Sequence, residues 1–205
     1  MIVGLGTGTT ARYFIEKLVE RHKKGLRIQV VASSEGSLEQ ARQGGLPILD
    51  LEKIDHIDIT VDGADEIDPQ KRMIKGGGGA LLREKILAAS SKEMVVVIGR
   101  NKWVDALGKF PLPVEIAPFA NHLTIKKIEN AGFHGTLRLT KEGKLYWTDN
   151  GNLIYDIQLS YPCSKPEAVD ATLRGIPGVI TTGFFFNLAG RVIIGLPNGQ
   201  VEIKN

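Results

Sequence analysis

The first half of the chain alternates short apolar segments with amphipathic helical ones, and this alternation restricts the fold more than any other feature. Segments such as "RIQVVAS", "HIDITVDG" and "EMVVVIG" are rich in β-branched residues and bounded by turn residues, which is typical of buried strands. Between them, "ARYFIEKLVERHKKG" has the apolar spacing of a helix that ends at glycine. Strands that alternate with helices predict an α/β fold with βαβ units and a mostly parallel sheet.

The second half of the chain has a different pattern. Two helical segments, "LTIKKIENAG" and "PEAVDATLRGIPG", are interspersed with about four strand-like segments joined by hairpin turns. This combination predicts a smaller, ferredoxin-like α+β domain. The proline-rich stretch "GKFPLPVEIAP" has the composition of a linker, and the tail "RVIIGLPNGQVEIKN" could rejoin the first domain. We therefore expect one domain of residues 1–115 and 190–205, and a second of residues 116–189.

Composition restricts the class of protein and of ligand. Apolar residues make up 42% and charged residues 24% of the 205 residues, as in an ordinary globular protein. A net charge of +3 weakly favours anionic small molecules and does not indicate nucleic acid. The single cysteine, Cys163, can form no intrachain disulfide, which predicts a reduced, cytoplasmic compartment. No apolar run has the length of a membrane span, and the start lacks the regions of a signal peptide.

The loop "GLGTGTT" after the first predicted strand has the composition of an anion site. Its glycines allow close approach of a ligand, and the hydroxyls of Thr7, Thr9 and Thr10 lie beside N–H groups at a helix N-terminus. It is neither a Walker A loop, since no lysine follows, nor a dinucleotide fingerprint, since the third glycine is missing. The pattern favours the phosphate of a small molecule over an ordinary strand-to-helix turn.

The loop "VDGADEID" places acids directly after another apolar strand. Asp62 and Asp65 are candidates for binding hydroxyl groups or for proton transfer, and a metal site would more often include histidine. Glu66 and Asp68 are expected only to solvate a turn or cap a helix. In a parallel sheet, loops at the carboxyl ends of the strands can converge on one crevice.

The third candidate loop is "IKGGGGALLREK", in which four consecutive glycines precede a helix. Glycine loses more backbone entropy on folding than any other residue, and no structural need for four of them is evident from the sequence. Lys75 supplies a positive charge, and Glu84 is a carboxylate that could point back towards the crevice. A base can remove a proton from the carbon next to a carbonyl, and a cation can stabilise the oxyanion that results. The alternative is that Glu84 forms a surface ion pair with a neighbouring Arg83 or Lys85.

Taken together, "GLGTGTTA", "VDGADEID", "IKGGGGALLREKI" and "NKWVDALGKFPLPVEI" resemble the type A ribose 5-phosphate isomerase family, in the same order over essentially the whole chain. The resemblance implies a Rossmann-like domain with helices on both faces of its sheet, bearing a ferredoxin-like domain. It implies interconversion of ribose 5-phosphate and ribulose 5-phosphate through an enediolate, in the non-oxidative branch of the pentose phosphate pathway. It also implies no metal or cofactor, and a homodimer or homotetramer.

The resemblance also assigns roles to matched residues. Glu84 matches the proton acceptor, Asp62 is assigned to ring opening, and Lys75 to stabilisation of the oxyanion. The residues that the resemblance assigns to substrate binding are Thr7, Gly8, Thr9, Thr10, Asp62, Gly63, Ala64, Asp65, Lys75, Gly76, Gly77, Gly78 and Lys102. The chain departs from the family in having Thr9 where serine is usual, in the "GRNKW" context of Lys102, and in beginning inside the strand that a helix normally precedes.

Two other classes of function compete with the isomerase. A sugar-phosphate deaminase or a coenzyme A transferase could use a related scaffold, but the "DGADEID" loop argues against both. A non-catalytic sugar-phosphate sensor would need neither Lys75 nor Glu84, and a sensor of the bacterial repressor type would carry a helix-turn-helix, which the sequence lacks.

Overall fold

The computed structural model describes residues 1–205, which divide into two compact units. Unit 1 comprises Met1–Ala64, Arg83–Trp103 and Asn187–Asn205. Unit 2 comprises Asp65–Leu82 and Val104–Phe186. Each unit therefore contains chain segments that are far apart in sequence.

The regular elements follow one another along the whole chain. In chain order they are β1 (Ile2–Leu5), α1 (Thr9–Lys23), β2 (Gln29–Ala32), α2 (Glu35–Gln43), β3 (Ile59–Asp62), β4 (Glu66–Ile67), β5 (Met73–Ile74), α3 (Leu81–Ala89), β6 (Met94–Gly99), β7 (Leu112–Ile116), α4 (Asn121–Asn130), β8 (Gly135–Leu137), β9 (Leu153–Ile157), α5 (Pro166–Arg174), β10 (Val179–Thr182), β11 (Phe184–Phe185), β12 (Ala189–Gly195) and β13 (Val201–Lys204).

Unit 1 is built on a six-stranded sheet with the order β13-β12-β6-β3-β1-β2. All neighbouring strands are parallel except β13, which pairs antiparallel with β12 at one edge. The predicted mostly parallel sheet is confirmed, and the C-terminal tail joins it as two strands. The parallel connections run through helices, as the alternation in the sequence predicts.

Helices cover both faces of this sheet, because successive side chains of a strand point to opposite faces. On one face, Val30 of β2 packs with Ile15 and Leu18 of α1. On the other, Val31 packs with Leu87 of α3. All five side chains are at most 8% exposed, so apolar burial against the sheet holds each helix in place.

The main sheet of unit 2 is antiparallel and has the order β10-β7-β9-β8. With α4 between β7 and β8 and α5 between β9 and β10, this is the βαββαβ topology of a ferredoxin-like domain. Alternate residues of β7 and β9, such as Val114 and Ile157, face Ile128 of α4 and Leu173 of α5 in one core. The smaller α+β domain predicted from the hairpin turns is thus present.

The boundary between the units differs from the one proposed from the sequence. The predicted linker contains β7, which hydrogen-bonds along its length to β9 and β10 and so lies inside unit 2. Residues 65–82 also belong to unit 2, where β4 and β5 form a three-stranded sheet with β11. Two-residue strands such as these carry too little periodicity to be read from sequence.

The segment "ITTGFFFN", one of the strand-like segments of the second half, is divided at Gly183 into β10 and β11. Phe184 and Phe185 are both buried, and the rings of Phe184 and Phe186 stack at 5.4 Å between centroids. Phe184 and Phe186 therefore lie on the same face of this segment, as alternate residues of a strand do, and Phe184 and Phe185 are covered by protein. Among the helices of both units, none is long and apolar enough to cross a bilayer.

The core of unit 2 gives a direct test of its packing. Ile157→Ala is expected to lower the free energy of unfolding by about 2–5 kcal/mol, because Ile157 is fully buried and truncation leaves a cavity. Ile180→Ala in β10, where the side chain is 43% exposed, is the matched control and should cost about 1 kcal/mol or less. Urea unfolding measures both, and equal losses would contradict the assigned packing.

Candidate active site

The carboxyl edge of the sheet in unit 1 is where the fold favours a ligand. Strands β1, β2, β3 and β6 are parallel and end at the same edge. From β1 the chain passes to β2 on one side, while β3 lies on the other, so the strand order reverses beside β1. Open α/β sheets bind ligands at such switch points. Two of the three predicted loops, those after β1 and β3, begin here.

The glycine–threonine loop leads from β1 directly into α1. Gly8 precedes the first helical residue with φ of 99°, a left-handed conformation that favours glycine, and no side chain caps the helix. The first N–H groups of α1 therefore have no side-chain acceptor, which suits an anion. Thr7 and Thr10 are half-buried, whereas Gly8 and Thr9 are exposed.

Asp62 fixes the two loops of this edge to each other. Its side chain is 1% exposed, and Oδ1 accepts hydrogen bonds from the Thr7 N–H at 3.1 Å and the Gly63 N–H at 2.7 Å. A Cβ atom on Gly6 would lie 2.1 Å from this carboxylate, so only glycine fits there. Gly63 and Ala64 continue the chain half-buried.

Serine residues of the loop after β2 and of the first turn of α2 also join this edge, and they were not among the predicted site residues. The hydroxyls of Ser33 and Thr7 are 2.7 Å apart, and Ser37 Oγ donates to the Gly6 carbonyl at 2.6 Å. Ser33 and Ser37 are both buried. The available signal was the run "SSEGS" at the end of a buried strand that adjoins β1 in the sheet.

Glu84 lies in the first turn of α3 and is 3% exposed. Burial of its carboxylate argues against the surface ion pair considered as an alternative, and the neighbouring Arg83 donates to Glu35 at 2.9 Å. A carboxylate in a first helical turn benefits from the positive end of the helix dipole. Lys102 is half-buried in a single 3-10 turn after β6, at the same carboxyl edge as Asp62.

In unit 2, Lys75 follows β5 and is 2% exposed. Its N–H donates to the Gly183 carbonyl at 2.8 Å, and its ammonium lies 5.4 Å from the centroid of the Phe185 ring. The aromatic face contributes to stabilising the buried cation. Lys75 is thus held by its backbone and by the ring of a buried phenylalanine.

The glycine loop after Lys75 has structural reasons for its composition, contrary to the expectation from sequence. Gly76 and Gly79 have φ of 98° and 83°, which side chains strain to adopt. A Cβ on Gly77 would lie 2.6 Å from Asp65 Oδ1, and one on Gly79 would lie 2.2 Å from the hydroxyl of Tyr146. Asp65 itself accepts from the Gly77 N–H at 2.7 Å. Gly77 and Gly78 are exposed.

Known proteins similar to this chain share its whole length. The family model described as ribose 5-phosphate isomerase A (phosphoriboisomerase A) matches residues 29–199. The chain belongs to this family. A ribose-5-phosphate isomerase A of Protochlamydia amoebophila is 54% identical over 203 residues, covering 99% of this chain and 88% of the relative.

Solved structures of ribose 5-phosphate isomerases have the same fold. The enzyme of Plasmodium falciparum superposes with a TM-score of 0.95 at 33% identity, covering all of this chain and 90% of that one. A D-ribose-5-phosphate isomerase in complex with phospho-erythronic acid superposes with a TM-score of 0.94 at 37% identity, with the same coverage. Family membership therefore extends to both units of the fold.

Within unit 1 the structure brings together Thr7, Asp62 and Gly63 through the carboxylate of Asp62, and within unit 2 it brings together Asp65 and Gly77. The catalytic and binding roles of these residues, and of the other members of the family motifs, stay predictions. The expectation that Glu66 solvates a turn or caps a helix is wrong. Its side chain is buried and accepts hydrogen bonds from the N–H groups of Gly108 and Phe110 at 2.7 and 2.8 Å.

Asp68 is buried rather than solvated, but it does hold a turn: its Oδ1 accepts from the N–H groups of Gln70 and Arg72 at 3.0 and 2.9 Å, and its Oδ2 accepts from Arg72 Nε at 2.7 Å. Cys163 lies in the core of unit 2, where burial raises the pKa of its thiol, so it is an inert structural residue. No group of three or more histidine, cysteine, aspartate or glutamate side chains is arranged to hold a metal ion.

The close approach of Gly6 to Asp62 can be tested by adding one methyl group. Gly6→Ala is expected to displace the carboxylate from the Thr7 and Gly63 N–H groups and to lower the free energy of unfolding by about 1–3 kcal/mol. Gly195→Ala is the control, since its Cβ would meet only the Ile98 carbonyl at 3.8 Å. Urea unfolding and the amide shifts of Thr7 and Gly63 measure the effect, and unchanged shifts would contradict it.

Proposed function

We propose that this protein interconverts D-ribose 5-phosphate and D-ribulose 5-phosphate. The observation that carries the proposal is membership of the ribose 5-phosphate isomerase A family over nearly the whole chain, together with its motifs. The similar proteins are named ribose-5-phosphate isomerase A, and one similar enzyme has been solved in complex with phospho-erythronic acid. That ligand is a four-carbon sugar acid phosphate, whose carboxylate resembles the two oxygens of an enediolate.

Phosphate binding is proposed for the loop of Thr7, Gly8, Thr9 and Thr10. Support comes from the uncapped N-terminus of the 15-residue α1, where N–H groups and the helix dipole favour an anion. Lys102 adds a positive charge at the same edge of the sheet. The sugar hydroxyls are assigned to the Asp62–Asp65 loop and to the Lys75–Gly78 segment, as the resemblance implies.

Proton transfer between the two adjacent carbons is assigned to Glu84. After the ring opens, with Asp62 assisting, the Glu84 carboxylate takes the C2 proton of the aldose. The electrons of that C–H bond form a C1–C2 double bond, and the C1 carbonyl oxygen becomes an oxyanion beside Lys75. The carboxylic acid then returns the proton to C1, while the proton of the C2 hydroxyl passes to the C1 oxyanion, so that C1 carries a hydroxyl and C2 becomes the ketone. One base serves both carbons because they are adjacent.

The alternatives are a sugar-phosphate sensor and a sugar-phosphate deaminase. A sensor would bind ribose 5-phosphate without turnover and would tolerate loss of Glu84. A deaminase would release ammonia from an amino sugar phosphate. Family membership favours the isomerase over both, and the burial of Glu84 in a first helical turn suits a reactive carboxylate better than a solvated one.

Glu84→Gln tests the assignment of the base. It keeps the size of the side chain and removes its basicity, so kcat should fall by about 10²- to 10⁴-fold while the thermal midpoint changes little. Glu16→Gln, on the exposed side of α1 with its carboxylate 3.8 Å from Arg12, is the matched control and should keep full activity.

The assay follows ribulose 5-phosphate formation in the presence of EDTA, which should leave the rate unchanged. Run in deuterium oxide, it should show solvent deuterium at the sugar carbon that receives the proton only when Glu84 is present. Near-normal turnover of Glu84→Gln would refute the assignment of Glu84 as the base. A folded wild-type chain that binds ribose 5-phosphate without converting it would refute the isomerase and favour the sensor.

We also propose that the protein is cytoplasmic and assembles as a homodimer or homotetramer. The single buried cysteine suits a reducing compartment, and exposed apolar side chains such as Phe119, 89% exposed, and Trp147, 53% exposed, would be covered by assembly. Sedimentation equilibrium should give two or four times the 22.3 kDa chain mass. A mass of one chain at micromolar concentration would refute the assembly.

A further inference from the structure

The carbonyl groups of the glycine loop are held by side chains from the hairpin after β8, within unit 2. Arg138 Nη1 donates to the Gly76 carbonyl at 2.7 Å and to the Gly77 carbonyl at 3.2 Å. The Tyr146 hydroxyl donates to the Gly78 carbonyl at 3.2 Å. The carbonyls of Gly76, Gly77 and Gly78 therefore all accept hydrogen bonds from side chains.

Arg138 is itself fixed by a second, bidentate contact. Its Nε and Nη2 donate to the two carboxylate oxygens of Asp156 at 2.8 and 2.6 Å, and the side chains of Arg138 and Asp156 are only 14% and 22% exposed. A planar, bidentate arginine–carboxylate pair has a defined direction as well as strength. Asp156 lies on β9, so the orientation of the guanidinium is set by the sheet and not by the flexible loop.

Holding a carbonyl also fixes an N–H group, because both belong to one planar peptide and point in opposite directions. In the Gly76–Gly77 peptide, Arg138 holds the carbonyl and Asp65 holds the N–H. In the next peptide Arg138 holds the Gly77 carbonyl, so the Gly78 N–H points away from the guanidinium. The protein provides no acceptor for the Gly78 N–H.

We infer that Arg138, oriented by Asp156, is a positioning residue that fixes the glycine loop so that the Gly78 N–H is aimed at the negative charge that develops on the substrate, with Tyr146 as a secondary support. The inference rests on the proposed isomerase function for its catalytic consequence. Donors arranged before the reaction stabilise an oxyanion without reorganisation, whereas an unconstrained tetraglycine would sample many orientations.

The alternative is that the Arg138–Asp156 pair only joins the hairpin to β9. Arg138 also bonds through its backbone N–H to the Ile154 carbonyl at 2.8 Å, so strand pairing does not depend on its side chain. A purely structural pair would affect stability and leave kcat of the folded enzyme unchanged. A positioning residue lowers kcat with a smaller effect on KM.

Two variants test the side chain. Arg138→Met removes the hydrogen-bond donors. Arg138→Lys keeps the positive charge, but a single ammonium group lacks the planar array of N–H donors that binds a carboxylate and two carbonyls at once. Arg191→Met is the control, because Arg191 makes the same bidentate contact with Glu93, at 2.6 and 2.7 Å, in unit 1. Tyr146→Phe should act in the same direction as Arg138→Met, with a smaller effect.

Amide exchange measured by NMR without substrate tests the positioning itself. The Gly77 and Gly79 N–H groups are bonded to Asp65 and to the Gly76 carbonyl, and their exchange should be at least about 10-fold faster in Arg138→Met but unchanged in Arg191→Met. Unaltered exchange at these two glycines would overturn the inference. So would equal acceleration throughout unit 2, which would indicate general destabilisation.

Steady-state kinetics on ribose 5-phosphate test the catalytic consequence. Arg138→Met and Arg138→Lys should lose about 10- to 100-fold in kcat, as expected for misplaced groups, with KM changed by less than about threefold. An unchanged kcat, or full rescue by lysine, would overturn the inference. An inactive wild-type chain would instead refute the proposed function, and the exchange result would still decide whether Arg138 holds the loop.

Discussion

The buried carboxylate of Asp62 is the contact on which the arrangement of unit 1 depends. It is at the end of β3, yet it binds the N–H of Thr7 in the loop after β1. Two adjacent parallel strands are thereby joined beyond their last backbone hydrogen bonds, at the place where the strand order reverses. The glycine at position 6 is a consequence, since any side chain there would occupy the space of this carboxylate. The start of α1 is positioned by the same contact.

Unit 2 uses the same principle with different residues. A glycine-rich segment does not by itself fix the orientation of its peptide groups, because glycine has no side chain to restrict the backbone. Asp65 on one side and Arg138 on the other hold the first peptide between glycines. Charged side chains make stronger hydrogen bonds to backbone groups than neutral ones do. The protein thus combines close backbone approach, which only glycine permits, with an orientation supplied by charged residues elsewhere in the unit.

The sequence predicted those parts of the fold that depend on local periodicity and those parts of the site that occupy loops after strands. The parallel sheet, the ferredoxin-like topology and the loops carrying Thr7 and Asp62 all follow from patterns of this kind. The two-residue strands β4 and β5 did not, since pairing with β11 defines them and not their own composition. The prolines of "GKFPLPVEIAP" suggested a linker, although β7 pairs with two strands.

Arg138 and Tyr146 were missed for a related reason. They flank a hairpin turn about 60 residues from the glycine loop, in a segment whose charges are typical of any exposed turn. Only the pairing of β8 with β9, which sets Arg138 beside Asp156, gives them a role. A contact made between distant segments leaves no periodic signal in either of them.

The position of Glu84 shows how the start of a helix can hold a buried carboxylate. Removing a carboxylate from water is costly unless other groups stabilise its charge. The first turn of α3 supplies the positive end of a helix dipole to this carboxylate. For the proposed role of Glu84 as the base this stabilisation matters, because a carboxylate must be charged to accept a proton. Burial of Glu84 and its place in the first turn of a helix are therefore two parts of one requirement.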